Sequence, residues 1–347
     1  MIFDNSSGGA FVALGRLRRE FGMIRLLHIF AVLLALAGLA IAQVPAQVPA
    51  PAPANTPGPP QGPGRGAFAP VVIGPMAPVP PEVAIPHPTP MELAQVNDAL
   101  KKLIDSDQSS AKPLLEKFES LLMLQTPRLN VAATYTQTAQ RMGARHEGFV
   151  EIAKRGDIDL LLHGDSITDW WVQGDANKAM FNKYFGAIRT ANFAIAGDTT
   201  QGVLWGLKNG EGQGFQPKAV MLMIGTNNTG GTGNAGTSTA PEIAEGIGGV
   251  VLELRNDFPN AKILLLAVFP RGVPGDSVRD KIVEINRIIA KLDDQRHVFY
   301  MDIGAKFLDE KGYFLPDTFR NDNLHPQASG YDIWGAAVKD KLAELMK

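Results

Sequence analysis

The sequence predicts an α/β domain over residues 130–347, a three-layer α/β/α sandwich on a five-stranded parallel sheet. Two observations carry this. Five short, nearly continuous apolar runs occur there, of the kind buried on both faces of a sheet, and amphipathic stretches of helical length separate them. The runs cover 158–163, 189–195, 219–224, 262–269 and 297–302, and the helical stretches cover 177–185, 199–208, 241–258, 277–292 and 326–346. Such an alternation predicts a flavodoxin-like, doubly wound sheet, whose ligands sit outside the carboxyl ends of the strands. Chemistry is therefore sought just after each strand.

Three segments precede the domain. Residues 1–42 join Arg16, Arg18, Arg19 and Arg25 to an apolar run from Ile29, ending in Ala40, Ile41 and Ala42. A basic start, an apolar centre and a small-x-small end make a signal peptide, with an uncleaved membrane tether as the alternative. The expected location is outside the cytoplasm, periplasmic or extracellular; Met1 and Met23 both remain open as the start. Residues 43–90 are dominated by Pro, Ala, Gly and Val with almost no charge, which predicts a disordered linker, with an irregular but packed segment as the alternative. Over 91–129, Leu93, Val96, Leu100, Leu103 and Ile104 form one helical stripe and Leu114, Leu115, Phe118, Leu121 and Leu122 a second. That predicts a helical hairpin whose stripes pack on the domain or on each other, with a homodimer contact as the alternative.

Composition narrows the chemistry. The absence of cysteine excludes disulfides, thiolate zinc sites and a cysteine nucleophile. A formal net charge of -2 gives no electrostatic reason to expect nucleic acid as a partner.

After the first strand come Gly164, Asp165 and Ser166, which place a hydroxyl at the rim of the sheet. Near the end of the chain, Asp322 and His325 share a loop before the last helix. Serine becomes a strong nucleophile when an imidazole takes its proton, and a carboxylate fixes that imidazole's tautomer. The ordinary alternatives are a helix cap for Ser166 and loop roles for Asp322 and His325. Attack on an ester carbonyl also needs donors for the oxyanion. Gly197, after the second strand, offers a backbone N–H, and Asn227, after the third, offers an uncharged amide. Asp165, Asp198 and Thr229 flank these positions and are candidate substrate contacts. A metal reading of Asp322 and His325 lacks a companion histidine motif.

The order Ser166, Gly197, Asn227, then Asp322 with His325 resembles the four blocks of SGNH (GDSL-type) hydrolases. The stretches 192–211, 224–228, 269–272 and 321–331 are similar to the catalytic subunits of type I platelet-activating-factor acetylhydrolases and their bacterial esterase relatives. The resemblance implies a serine esterase without cofactor or metal. In it Ser166 attacks, His325 is the base, Asp322 orients it, and Ser166 N–H, Gly197 N–H and Asn227 Nδ2 form the oxyanion hole. It implies short-acyl, chiefly acetyl, ester hydrolysis on a small-molecule or carbohydrate ester. A lipid-directed acetylhydrolase, a lysophospholipase or thioesterase, and a non-enzymatic carbohydrate-binding module stand as alternatives. The chain departs from the pattern at Ala194 and Ala196, where glycine is common; their methyls either narrow the acyl pocket or fill the core. The segment 229–240 is longer than in the animal enzymes and is read as a lid or as a slack connection.

Overall fold

The computed structural model of the protein describes residues 71–230 and 238–347. The expected signal peptide, the first part of the linker and most of the 229–240 segment lie outside the described residues.

The sheet has five parallel strands, β1 (Leu160–Gly164), β2 (Thr190–Asn192), β3 (Ala219–Met223), β4 (Lys262–Leu266) and β5 (Val298–Met301), in the spatial order β2-β1-β3-β4-β5. Each strand projects alternate side chains to opposite faces. Leu161, Val220, Leu222, Ile263 and Leu265 pack on one side against α4 (Ala144–Arg155), α7 (Thr200–Gly206), α8 (Ala240–Asp257) and α9 (Ser277–Ile289). Leu160, Leu162, Met221, Met223, Leu264 and Leu266 pack on the other against α6 (Asp175–Phe185) and α10 (Ala328–Leu345), around Phe185, Trp171 and Trp334. With both faces covered, the inner strands β1, β3 and β4 are almost wholly apolar, whereas the edge strand β2 reads Thr-Ala-Asn with only Ala191 buried.

Local chemistry sets the element ends. Thr239 and Glu242 form a capping box that starts α8, each side chain accepting the other's backbone N–H. β2 is shorter than the run 189–195 predicts, although Phe193 N–H and Ile195 N–H still donate to Leu162 O and Gly164 O of β1 at 2.9 and 3.4 Å; beyond Asn192, whose Oδ1 accepts the N–H of Ala194 at 3.1 Å, the chain runs on as a loop beside β1. α4 was not legible as a helix: most of its twelve residues are charged or small, and only Phe149 and Ala153 are buried.

The expected linker differs at its end. Ala77 and Val83 enter the core, Ala77 N–H donates to Ala133 O at 2.8 Å, and Ile85 N–H donates to Glu245 Oε1 at 3.0 Å. A segment too rich in proline for helix or strand still docks, because those bonds satisfy its backbone and α8 offers it a notch. A Cβ on Gly248 would lie 2.4 Å from Val83 Cγ2.

The hairpin is present as α1 (Pro90–Ser106), α2 (Lys112–Lys117) and α3 (Glu119–Leu122). Asn97 clasps Leu124 through two reciprocal bonds of 2.9 and 2.8 Å. Of its two stripes only Ile104 is buried, and Leu114, Phe118 and Leu121 stand in solvent. No helix among the described residues is long and apolar enough to cross a membrane.

Candidate active site

β1 ends at Gly164, where a Cβ would meet the carbonyl oxygen of Met223 at 2.3 Å, so only glycine lets the chain turn this close to β3. Asp165 then caps the short helix α5 (Ser166–Asp169), its Oδ1 accepting the N–H of Ile167 at 3.0 Å. Tyr331 OH donates to Ile167 O at 2.9 Å and pins this helix from below. Ser166 becomes the first helical residue, held at the carboxyl rim of β1, next to the central strand β3.

The loop before α10 brings in the partners. Asp322 Oδ1 accepts the N–H groups of Leu324 and His325, both at 3.0 Å, curling the loop around the carboxylate. Asp322 Oδ2 lies 2.7 Å from His325 Nδ1, and His325 Nε2 lies 2.9 Å from Ser166 Oγ. Burial pushes the Asp322 carboxyl up, but the bonds from the His325 imidazole and the two N–H groups outweigh it and hold the group below its ordinary value. An ionised Asp322 can only accept, so Nδ1 carries the proton and Nε2 faces the serine as acceptor.

Trp170 stacks on the His325 ring, centroids 4.0 Å apart and planes 25° from parallel, and the Arg320 guanidinium sits 4.5 Å from the centre of the same indole. The imidazole is thus held by its plane as well as by its two nitrogens.

Gly197 and Asn227 follow β2 and β3, the two neighbours of β1, so their loops flank Ser166 along one edge of the sheet. Gly197 has φ 80°, a left-handed backbone that disfavours side chains. Asn227 Nδ2 donates one hydrogen bond to Asp198 O at 2.7 Å, and its second N–H has no acceptor among the described residues. Arg271, which sequence reasoning did not single out, staples this loop from the segment after β4: its Nη1 donates to Thr226 O and Thr229 Oγ1, each at 3.2 Å.

The three candidate substrate contacts are corrected by their surroundings. Asp165 and Asp198 are completely buried, the first under α5 and the second in an ion pair with Arg141, so neither offers an oxygen to a ligand. Thr229 Oγ1 donates to Thr226 O at 2.7 Å and accepts from Arg271, which commits it to the loop. Ala194 is fully buried, so its methyl fills the interior; Ala196 is half-buried and anchored by its N–H to Asp169 Oδ2 at 3.0 Å. Trp171 belongs to the core, and Trp205 packs against His146, ring centroids 4.8 Å apart and planes tilted by 57°. His163 is buried, and desolvation with the nearby Arg141 charge pushes its pKa well down, so it is a neutral ring. No cluster of three His, Asp or Glu residues suited to a metal ion occurs among the described residues.

Comparison with known proteins adds the family. A sequence model of the GDSL-like lipase/acylhydrolase family matches residues 162–333. The alpha2 subunit of platelet-activating factor acetylhydrolase IB from Gallus gallus is 34% identical over 202 residues, covering 58% of this chain and 82% of that protein. The Homo sapiens subunit of that name is 33% identical over the same shares of both chains. Among solved structures, a Bacteroides fragilis protein provisionally named an acylhydrolase superposes with a TM-score of 0.50 at 16% identity. It covers 61% of this chain and 100% of its own, a likeness of fold.

Proposed function

Because the chain belongs to the GDSL-like lipase/acylhydrolase family, an ester-hydrolysing one, we propose that it is a serine esterase for short-acyl, chiefly acetyl, esters. The observation that carries the reading is the line of hydrogen bonds from Ser166 through His325 to Asp322, at 2.9 and 2.7 Å. His325 Nε2 takes the Ser166 proton as Oγ attacks the carbonyl carbon, and Asp322 stabilises the imidazolium. The developing oxyanion is met by the N–H groups of Ser166 and Gly197 and by the second N–H of Asn227 Nδ2. Collapse expels the alcohol with the proton from His325, leaving an acyl ester on Ser166. Water, activated by the same imidazole, then releases the acid.

Two observations favour a small acyl group. Ser166 and Asn227 are almost wholly buried, at 4% and 2% exposure, and so enclosed a nucleophile suits a small acyl group. The relatives in the comparison are named acetylhydrolases. The export pattern of residues 1–42 supports an external ester, such as an acetylated carbohydrate, as the alcohol side; the lipid in the relatives' name makes an acetylated phospholipid the second reading.

The test is a panel of p-nitrophenyl acetate, butyrate and octanoate, an acetylated oligosaccharide and a short-chain phospholipid, with Ser166→Ala as the blank. Loss of turnover by about 10³-fold or more is expected in that variant, with its fold intact. Undiminished turnover would remove Ser166 from the mechanism, and a preference for octanoate would overturn the short-acyl assignment.

A further inference from the structure

Beneath the site lies a buried ionic cluster that this mechanism leaves unused. Arg141 ends a 3-10 turn (Ala139–Arg141) ahead of α4, outside the residues matched by the family, and is completely buried. Its Nε donates to Asp198 Oδ2 at 2.8 Å, its Nη2 to Phe193 O at 3.2 Å, and its Nη1 to the Glu211 carboxylate. Glu211 also holds His146 Nδ1 at 2.7 Å. The other oxygen of Asp198, Oδ1, accepts Thr199 N–H at 2.9 Å and Thr138 Oγ1 at 3.2 Å. Space for the cluster comes from two glycines one turn apart on α7. A Cβ on Gly202 would lie 2.0 Å from Asp198 Oδ1, and one on Gly206 would lie 2.6 Å from Glu211 Oε2.

Asp198 connects this cluster to the chemistry. It directly follows Gly197, and its carbonyl oxygen accepts the bond that orients the Asn227 amide, at 2.7 Å. Two of the three oxyanion donors therefore depend on one residue, Gly197 along the chain and Asn227 across a hydrogen bond. We propose that Arg141 is a positioning residue for the oxyanion hole: by clamping the Asp198 carboxylate it fixes the directions of the Gly197 N–H and the free Asn227 N–H. The proposal rests on the active-site reading above. A buried ion pair adds little net stability over an apolar substitute, so its value here lies in geometry. Donors that act only on the developing oxyanion affect kcat and not substrate binding.

The experiment measures kcat and KM on p-nitrophenyl acetate for wild type, Arg141→Lys, Thr138→Val, Asn227→Ala and the Arg141→Lys/Asn227→Ala double variant, with thermal melts to verify folding. Lysine cannot span both carboxylates as the guanidinium does, so Arg141→Lys is expected to lower kcat by about 10- to 100-fold with KM within about 3-fold. In the Asn227→Ala background its cost should shrink several-fold, because one of the donors it positions is already gone. Thr138→Val deletes one bond to Asp198 without stranding a charge and should lower kcat by about 3-fold at constant KM; it decides the matter if Arg141→Lys does not fold. Unchanged kcat in the folded variants, a loss confined to KM, or an equal cost of Arg141→Lys in both backgrounds overturns the proposal. Those results leave the active-site reading standing, whereas a fully active Ser166→Ala would bring down both.

Discussion

Replacing Asp165 with asparagine gives a sharp physical test of the site's foundation. The Oδ1 atom of Asp165 caps α5, while Oδ2 has no hydrogen-bond partner among the described residues. Burial pushes this carboxyl from an ordinary 3.8 to about 7; the Ile167 N–H opposes the rise and the Asp198 charge adds to it. The folded chain thus keeps a proton that the unfolded chain has already released between about pH 4 and pH 7. Stability must therefore fall as pH rises through that window and level off above it, by about 1.4 kcal/mol per pH unit. Asparagine retains the capping oxygen and cannot ionise. In urea unfolding, the stability of Asp165→Asn relative to wild type should climb by about 3 kcal/mol from pH 5 to a plateau near pH 8. All other titrating groups occur in both proteins and cancel. A difference that stays flat over this range would mean that Asp165 is ionised in the folded chain at pH 5, and the argument would fail.

Asn227→Ala removes the amide donor and should cost about 10² to 10³ in kcat; an effect on KM alone would contradict an oxyanion role. Asp322→Asn should lower kcat by about 10⁴-fold, because the amide no longer enforces the tautomer that presents Nε2 to the serine. The wild-type Asp322 carboxyl is held below its ordinary 3.8, so no protonation of Asp322 should register in a pH-rate profile above about pH 4. Trp170→Ala should reduce kcat by about 10-fold by freeing the plane of the imidazole, with most of the rate restored in Trp170→Phe; identical rates in the two variants would show that stacking does not position His325.

Much of the fold was legible for one physical reason. A parallel strand covered on both sides needs apolar residues at every position, as in Leu160, Leu161 and Leu162 or Ile263, Leu264 and Leu265, and such runs stand out against helices of mixed polarity. Where burial is sparse the signal fades. α4 buries two residues and the docked stretch around Val83 has no period at all; its place is set by a glycine notch on α8, 165 residues further along the chain. The hairpin stripes have clear helical spacing, yet most of their side chains face solvent, since periodicity reports that a face exists and not what covers it.

The candidate site divides along the same line. Ser166, Gly197, Asn227 and His325 could be read as candidates because a doubly wound sheet collects its loops at one edge, so residues far apart in sequence are brought near one another by topology alone. The orientation of a side chain within those loops obeys no such rule. Asp165 and Asp198 adjoin Ser166 and Gly197 in sequence, and on that proximity they looked like substrate contacts; both are completely buried. For Asp198 the deciding partner is Arg141, 57 positions upstream, in a segment without a detectable period. A turn residue's environment is supplied by whatever chain arrives beside it, and only the spacing of Gly202 and Gly206, which leaves a gap on a buried helix, marked that something large had to fill the space. Loop carboxylates beside a catalytic residue are therefore to be weighed first as buried struts, wherever a nearby helix carries glycines one turn apart.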